Sequence, residues 1–443
     1  MVRVRNIWFG LAIFCVMAFC NPVGAEVLGV YKAPSGTGWL EKSSQGDLIL
    51  HLEGSWYDMG YEQGKLLGKE CFMTMNGVKA YARRMAPLLP FSAFKHLLYQ
   101  KVYLKSAPYV PESFQQEMQG LADAGGVPVK DIQALHSFIY LASCSGTAAF
   151  GKATKDGQLV QTRSLDFILT FIDPETETPM QNNSMVVVYK PQGEIPFVSF
   201  SWPGVLGSVG GMNAKGISVS EMSLPSKYES PAGMSMVFRV KQTLARAENL
   251  DQAISIMSSK PLEGGYNFLV GDGKIPSAVA IEMDAKNCYV GGFDSAAENN
   301  SYRKWGKKYE YHSRPGLLVR TNHPLSAELV KDYYAPIDFG HIKAMSGARY
   351  FELREREEKE YGSLDLVRMM EIMREHYEGI CAPGHKHCPG TNYQAAMAPK
   401  SGDFLIAFAC GNPQEQGNFK TSAYTHPYHR YNLFELLKGS PEP

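Results

Sequence analysis

Residues 143–166 read SCSGTAAFGKATKDGQLVQTRSLD, and the reading of the whole chain depends on this stretch. Two strand-like runs flank Lys155-Asp156-Gly157, a turn signal that folds a hairpin back on itself. Such a hairpin returns Arg163 and Asp166 to within a few residues of Cys144. A thiol is a good nucleophile only as thiolate, and a neighbouring guanidinium favours that form. Asp166 could then orient an adjacent amine or accept a proton. The bland alternative is a buried cysteine beside a structural Arg–Asp pair. A regular strand also points residues three apart to opposite faces. Bringing both Arg163 and Asp166 to Cys144 therefore calls for a bulge, or for a strand ending at Leu165. On spacing alone both readings stand.

Working outward, the chain changes character at Cys144. Before it lies one short strand, Leu48 to Leu52, and then SWYDMGYEQGKLLGKECFMTMNGVKAYARRM, with apolar residues at helical spacing. Gly60, Gly64 and Gly68 are four apart on one face of this helix and predict close packing against another element. PESFQQEMQGLADAGGVP predicts a second helix, opened by Pro111 and closed by Gly125-Gly126. DIQALHSFIYLAS predicts a third that runs into Cys144. After Cys144 come short β-type runs between turn residues: QLVQTRSL, SMVVVYK, FVSFSW, GISVSEM, YNFLVGD, SAVAIEMD, CYVGGF, GLLVRTN and DFLIAFACG. Helical segments intervene at 237–258 and 363–377. Helices followed by many antiparallel strands describe a layered α+β domain. Nothing between 26 and 435 reads as a linker.

The chain carries 44 basic and 44 acidic residues, a balance that offers no groove for nucleic acid. Arg3 and Arg5, the apolar run from Ile7 to Phe19 and the small residues Val23-Gly24-Ala25 predict a signal peptide over 1–25 and an exported protein. The run is shorter than the ~20 residues that span a bilayer. Export permits disulfides, and Cys381 and Cys388 in CAPGHKHC form the most compact candidate pair. His385 and His387 raise a metal site as the alternative, but the spacing matches no established zinc pattern. THPYHRY, with His426 and His429 and no third ligand in sequence, reads as a docking tail. No P-loop, dinucleotide-binding glycine motif or HExxH occurs, so neither cofactor nor metal is predicted.

Several motifs, in order, resemble the N-terminal-nucleophile (Ntn) hydrolases, in particular the acyl-CoA:6-aminopenicillanate acyltransferase branch related to choloylglycine hydrolase and acid ceramidase. These are a cysteine, a short hairpin and an R-x-x-D element, here Arg163-Ser-Leu-Asp166; GSWYDMGYEQGKLLG and EMQGLADAGGVPVKDI before it; GGMNAKGISVSEMSLP and YNFLVGDGKIPSAVAIEMD after it. Leu318-Val-Arg-Thr-Asn322-His-Pro324 is similar to the family's T-N-x-P element, and Ser346-Gly-Ala-Arg349-Tyr350 to its S-x-x-R-F element. Each motif alone is weak; together, in the family's order, they are strong.

The resemblance implies a four-layer αββα sandwich of two antiparallel sheets. It implies that Cys144 cuts the Ser143–Cys144 bond, leaving a helix-rich segment 26–143 and a larger one, 144–443, that remain together as one domain. The new α-amine would serve as base for its own thiol. Arg163, Asp166, Asn322 and Arg349 would complete the catalytic set, with Asn322 and a backbone N–H near Ser223 as oxyanion donors and Arg349 steadying Asn322 or the amine. Ser223 stands where bile-salt and penicillin V hydrolases carry Asn or Tyr, so their selectivity does not transfer. His323 either lines the pocket or lies on an exposed loop. The implied reaction is hydrolysis of a linear amide of a small N-acyl substrate through a Cys144 thioester. The alternatives are acyl transfer to an amine or amino acid, or a binding protein that retains the fold without the chemistry.

Overall fold

The structure is a computed structural model that describes residues 25–137, 143–304, 306–335, 345–380 and 390–441. Residues 1–24 of the proposed signal segment and the Cys381–Cys388 loop, with His385 and His387, lie outside the described residues.

Alternation of side chains along the strands sorts the molecule into layers. In chain order the strands are β1 (Glu26–Lys32), β2 (Thr37–Lys42), β3 (Leu48–Gly54), β4 (Ser143–Ala149), β5 (Val160–Asp166), β6 (Met185–Pro191), β7 (Phe197–Ser201), β8 (Gly210–Asn213) and β9 (Ile217–Ser223). They continue as β10 (Tyr266–Asp272), β11 (Ser277–Met283), β12 (Cys288–Gly291), the hairpin β13 (Ser301–Lys304) and β14 (Lys307–Glu310), β15 (Leu317–Arg320), β16 (Thr391–Ala398), β17 (Asp403–Phe408) and β18 (His429–Asn432). Ten form one sheet in the order β1-β2-β3-β6-β7-β8-β9-β10-β11-β12, and six form another, β15-β4-β5-β16-β17-β18. Neighbours are antiparallel except β3 and β6, which run parallel.

Met185, Val187 and Tyr189 of β6 face one way and pack with helical residues, while Val186 and Val188 face the second sheet. The VVV run is therefore the mark of a strand covered on both sides. Over the ten-stranded sheet lie α1 (Trp56–Met85), α2 (Phe91–Leu98), the single turn α3 (Leu104–Ser106), α4 (Glu112–Gly125), α5 (Val129–His136), α6 (Met236–Arg246) and α7 (Leu250–Met257). After the short α8 (Ala327–Val330), the six-stranded sheet is covered on its far face by α9 (Ser346–Lys359) and α10 (Leu366–Ile380). Between the sheets Leu165, Tyr393 and Ile406 meet Val198, Phe200 and Leu269. The sandwich is thus helix, sheet, sheet, helix.

Three details differ from the sequence expectation. Three strands, not one, precede α1; β1 and β2 are broken up by Pro34, Ser35 and Gly36, so their alternation is hard to read. The helical stretch expected over 237–258 consists of two helices, α6 and α7, separated at Ala247–Asn249. And of the three aligned glycines only two are packing sites. A Cβ on Gly60 would lie 2.0 Å from the Glu117 carbonyl oxygen, and one on Gly64 2.5 Å from the Ala124 Cβ, but nothing lies within 4 Å of one on Gly68. α1 has a non-helical residue, Leu67 (φ −132°, ψ 24°), which swings Gly68 off the line. Gly60→Ala should therefore destabilise the fold by about 1–3 kcal/mol in urea unfolding by overpacking. Gly68→Ala should be neutral or stabilising.

Candidate active site

The hairpin forms as the turn residues require. β4 pairs with β5 so that Cys144 lies opposite Leu165 and Ser143 opposite Asp166. β5 does not end at Leu165; it continues to Asp166, and the irregularity sits in its other neighbour, between Thr391 and Tyr393 of β16. Arg163 and Asp166 accordingly occupy opposite faces of the sheet. Arg163 reaches the Cys144 thiol directly, whereas Asp166 lies near Arg349, which bonds the Cys144 carbonyl from the other face.

On the inter-sheet face the fully buried Cys144 thiol lies 3.6 Å from Arg163 Nη2. The same Nη2 donates to Glu221 Oε2 on β9 at 2.8 Å, and the guanidinium stacks over Tyr393, 5.4 Å from the ring centre. This closed pair leaves the thiol little net positive field. Burial pushes the Cys144 thiol up to about 12, Arg163 pulls it down and Glu221 and Asp166 add to the rise. In the continuous chain Cys144 is a protonated thiol at neutral pH, contrary to the thiolate that Arg163 alone suggests.

On the helical face the groups surround the Cys144 backbone rather than its sulfur. Its N–H donates to Asn322 Oδ1 at 2.8 Å, just beyond β15. Arg349 on α9 donates to the Cys144 carbonyl, to Ser145 Oγ at 2.7 Å and to Asn322 Oδ1 at 2.6 Å. Asp166 accepts from Ser164 Oγ (3.0 Å), Thr391 Oγ1 (2.8 Å) and the Tyr377 hydroxyl of α10, and lies 3.9 Å from Arg349. Burial raises its pKa, offset first by Arg349. Asn322 Nδ2 donates to Ser223 O at 2.7 Å and to Ser223 Oγ at 3.1 Å, so the two residues expected to present oxyanion donors are here bonded to each other. Ser346 Oγ fixes the Asn322 backbone N–H at 2.8 Å.

Cys144, Arg163, Asp166, Asn322, Arg349 and Ser223 therefore converge from β4, β5, β9, α9 and the segment just after β15. Glu221, Tyr377, Thr391 and Tyr393 complete the cluster and were not singled out in sequence. Glu221 had a signal, an acid inside GISVSEMS, whose burial demands a cation. His323 is neither a pocket residue nor exposed. It is buried, bonded to Ser346 Oγ at 2.7 Å, and pushed down to about 3 by burial. His429, expected in a docking tail, sits on β18 and pairs with Asp47 at 2.7 Å.

Beside the cluster a cavity opens among the two sheets and helices α1, α5 and α6, lined by Leu165, Phe171, Phe200, Trp202, Val237 and Tyr266 among others, with Glu221 and Ser223 also in its wall. His136 also lines it but offers no base. Its Nδ1 donates to Ile132 O at 2.7 Å, its Nε2 accepts from Leu206 N–H at 2.8 Å, and burial holds it down to about 4.

Residues 172–341 match the model of the family described as acyl-coenzyme A:6-aminopenicillanic acid acyl-transferase, a span that holds Glu221, Ser223 and Asn322. Over 372 residues the chain is 25% identical to an uncharacterized protein of Archaeoglobus fulgidus, covering 76% of this chain and 59% of that protein. Over 288 residues it is 27% identical to protein dcd1A of Dictyostelium discoideum, covering 57% and 62%. The chain thus spans about three-fifths of the length of these relatives. Among solved structures it is similar to the Caenorhabditis elegans ortholog of N-acylethanolamine-hydrolyzing acid amidase, at 16% identity and a TM-score of 0.39, over 65% of this chain and 99% of that one. Residues 172–341, which carry Glu221, Ser223 and Asn322 of the cluster around Cys144, are thus similar to the acyl-coenzyme A:6-aminopenicillanic acid acyl-transferase family.

Proposed function

We propose that the protein is an exported cysteine acylase that cuts its own Ser143–Cys144 bond and then cleaves a linear amide of a small N-acyl substrate. One observation carries the reading: the backbone N–H and carbonyl of Cys144 are held by Asn322 and Arg349, side chains more than 170 residues away in sequence. An ordinary mid-strand residue needs no such fixtures. A new terminus does. After the cut, the Cys144 nitrogen is an α-amine with a pKa of roughly 7.7–8.0 when unperturbed, and Asn322 Oδ1 is placed to hold it.

The neutral amine takes the thiol proton as sulfur attacks the substrate carbonyl. The tetrahedral oxyanion draws on the Asn322 amide, which exchanges its bond to Ser223 for one to the substrate. Collapse breaks the C–N bond, the protonated α-amine returns its proton to the leaving amine, and a Cys144 thioester remains. Water, activated in the same way, releases the acid. Arg163 holds the sulfur from one face, and on the other Asp166 lies beside Arg349, which holds the Cys144 carbonyl. The apolar lining of the cavity favours acyl transfer to an amine acceptor as the second reading, because it limits access of water.

Intact mass and N-terminal sequencing of the purified protein under denaturing conditions test the proposal. Two fragments are expected, the larger beginning at Cys144; a single uncut, inactive chain would overturn it. Arg163→Ala and Asp166→Asn should lower turnover of an N-acyl amide by more than about tenfold. Full turnover in either folded variant would remove that residue from the mechanism.

A further inference from the structure

The end of α1, the turn after it and α2 differ from the rest of the surface. From Cys71 to Pro111 the sequence contains no Asp or Glu but carries Lys79, Arg83, Arg84, Lys95, Lys101 and Lys105. In a chain of zero formal net charge, this is a concentrated basic stretch. Several of its large apolar residues stay exposed. Leu88 is 98% exposed and Met85 69%, and Leu97 and Leu104 are each more than two-fifths exposed. α2, FSAFKHLL, has no fully buried residue. An apolar helix left uncovered in this way is expected to have a partner.

The charge pattern chooses among partners. A second copy of the chain would bring this basic face against its own twofold image. An anionic lipid surface matches both halves of the pattern, with the leucines in the acyl boundary and the lysines and arginines at the headgroups. No helix among the described residues is long and apolar enough to cross a membrane. The groove beneath α2, lined by Phe72, Phe91, Phe94 and Leu98, adjoins the cavity beside Glu221 and Ser223, with Val78 and Leu135 as their shared wall.

We propose that the face from Arg83 to Lys105 docks the protein on anionic membranes, with α2 lying along the interface and the groove beneath it opening a route for a lipid acyl chain into the cavity. The docking rests on the surface alone; the route inward rests on the acylase reading as well.

Co-sedimentation of the full protein with vesicles tests the docking, using phosphatidylcholine alone and phosphatidylcholine mixed with phosphatidylglycerol. Binding is expected to the mixed vesicles, to weaken with salt, and to fall by at least about tenfold in Lys101→Glu/Lys105→Glu and in Leu88→Asp/Leu97→Asp. Each variant should keep the parent's thermal midpoint and its turnover of a water-soluble amide. Cys144→Ala should bind as tightly as the parent, which separates docking from catalysis. Absence of binding to the mixed vesicles, equal binding by the variants, or a dimer in sedimentation velocity that the leucine variant dissolves would each overturn the proposal.

Discussion

Cys144→Ala should give a single uncut chain with no measurable turnover, a loss of at least about 10³-fold on any amide the parent accepts. The size follows from the absence of a substitute. Ser145, the next hydroxyl after Cys144 along the strand, points to the opposite face, 3.0 Å from the Tyr377 hydroxyl and within hydrogen-bond reach of Arg349. Losing one sulfur atom from a packed interior should cost only about 1 kcal/mol, so the variant should fold. Gel mobility, intact mass and turnover read the outcome together. A variant chain still severed before residue 144 would assign the cut to another protease, and retained turnover would dismiss Cys144 as nucleophile.

Glu117→Ala should destabilise the protein by about 3–5 kcal/mol, the usual consequence of leaving a buried charge without its partner. Lys241 Nζ lies 2.6 Å from both Glu117 oxygens and from Leu206 O, and packs 4.2 Å above the Tyr189 ring centre. Neither side chain of the pair touches solvent. Burial pulls the lysine down and the glutamate up, and each offsets the shift of the other. Replacing both, as Glu117→Leu with Lys241→Met, should recover most of the loss, because an apolar pair of similar volume leaves no charge to desolvate. Urea unfolding midpoints measure both. Glu117 precedes Cys144 and Lys241 follows it, so in a cut molecule the single variant should also shed its smaller fragment more readily in gel filtration.

What the sequence made legible was local. The Lys155-Asp156-Gly157 turn fixed the partner of Cys144, and β-branched runs such as MVVVYK marked the buried strands. β16 escaped because TNYQAAMA is rich in alanine and has no β-branched residue after its opening threonine, although it lies at the centre of its sheet. Tyr377 and Tyr393 escaped because a buried tyrosine in sequence looks like any core aromatic. Their hydroxyl and ring contacts with Asp166 and Arg163 exist only once the layers assemble. Asn322 and Arg349 were found through motifs alone; nothing in their spacing from Cys144 could have placed them. The opposite facing of Arg163 and Asp166, which looked like an obstacle, puts Arg163 on the thiol and Asp166 beside Arg349, the residue that bonds the Cys144 carbonyl.

The parallel pairing of β3 with β6 binds the two halves of the chain into one sheet across the whole hairpin. Asn322 and Arg349, which hold the Cys144 backbone, are synthesised long after it. A nascent chain that has emerged only as far as β15 would carry the thiol but no cradle. In the proposed reaction the reactive state would therefore be assembled only after Asn322 and Arg349 have joined the fold, and the buried thiol would act as its own checkpoint on completeness.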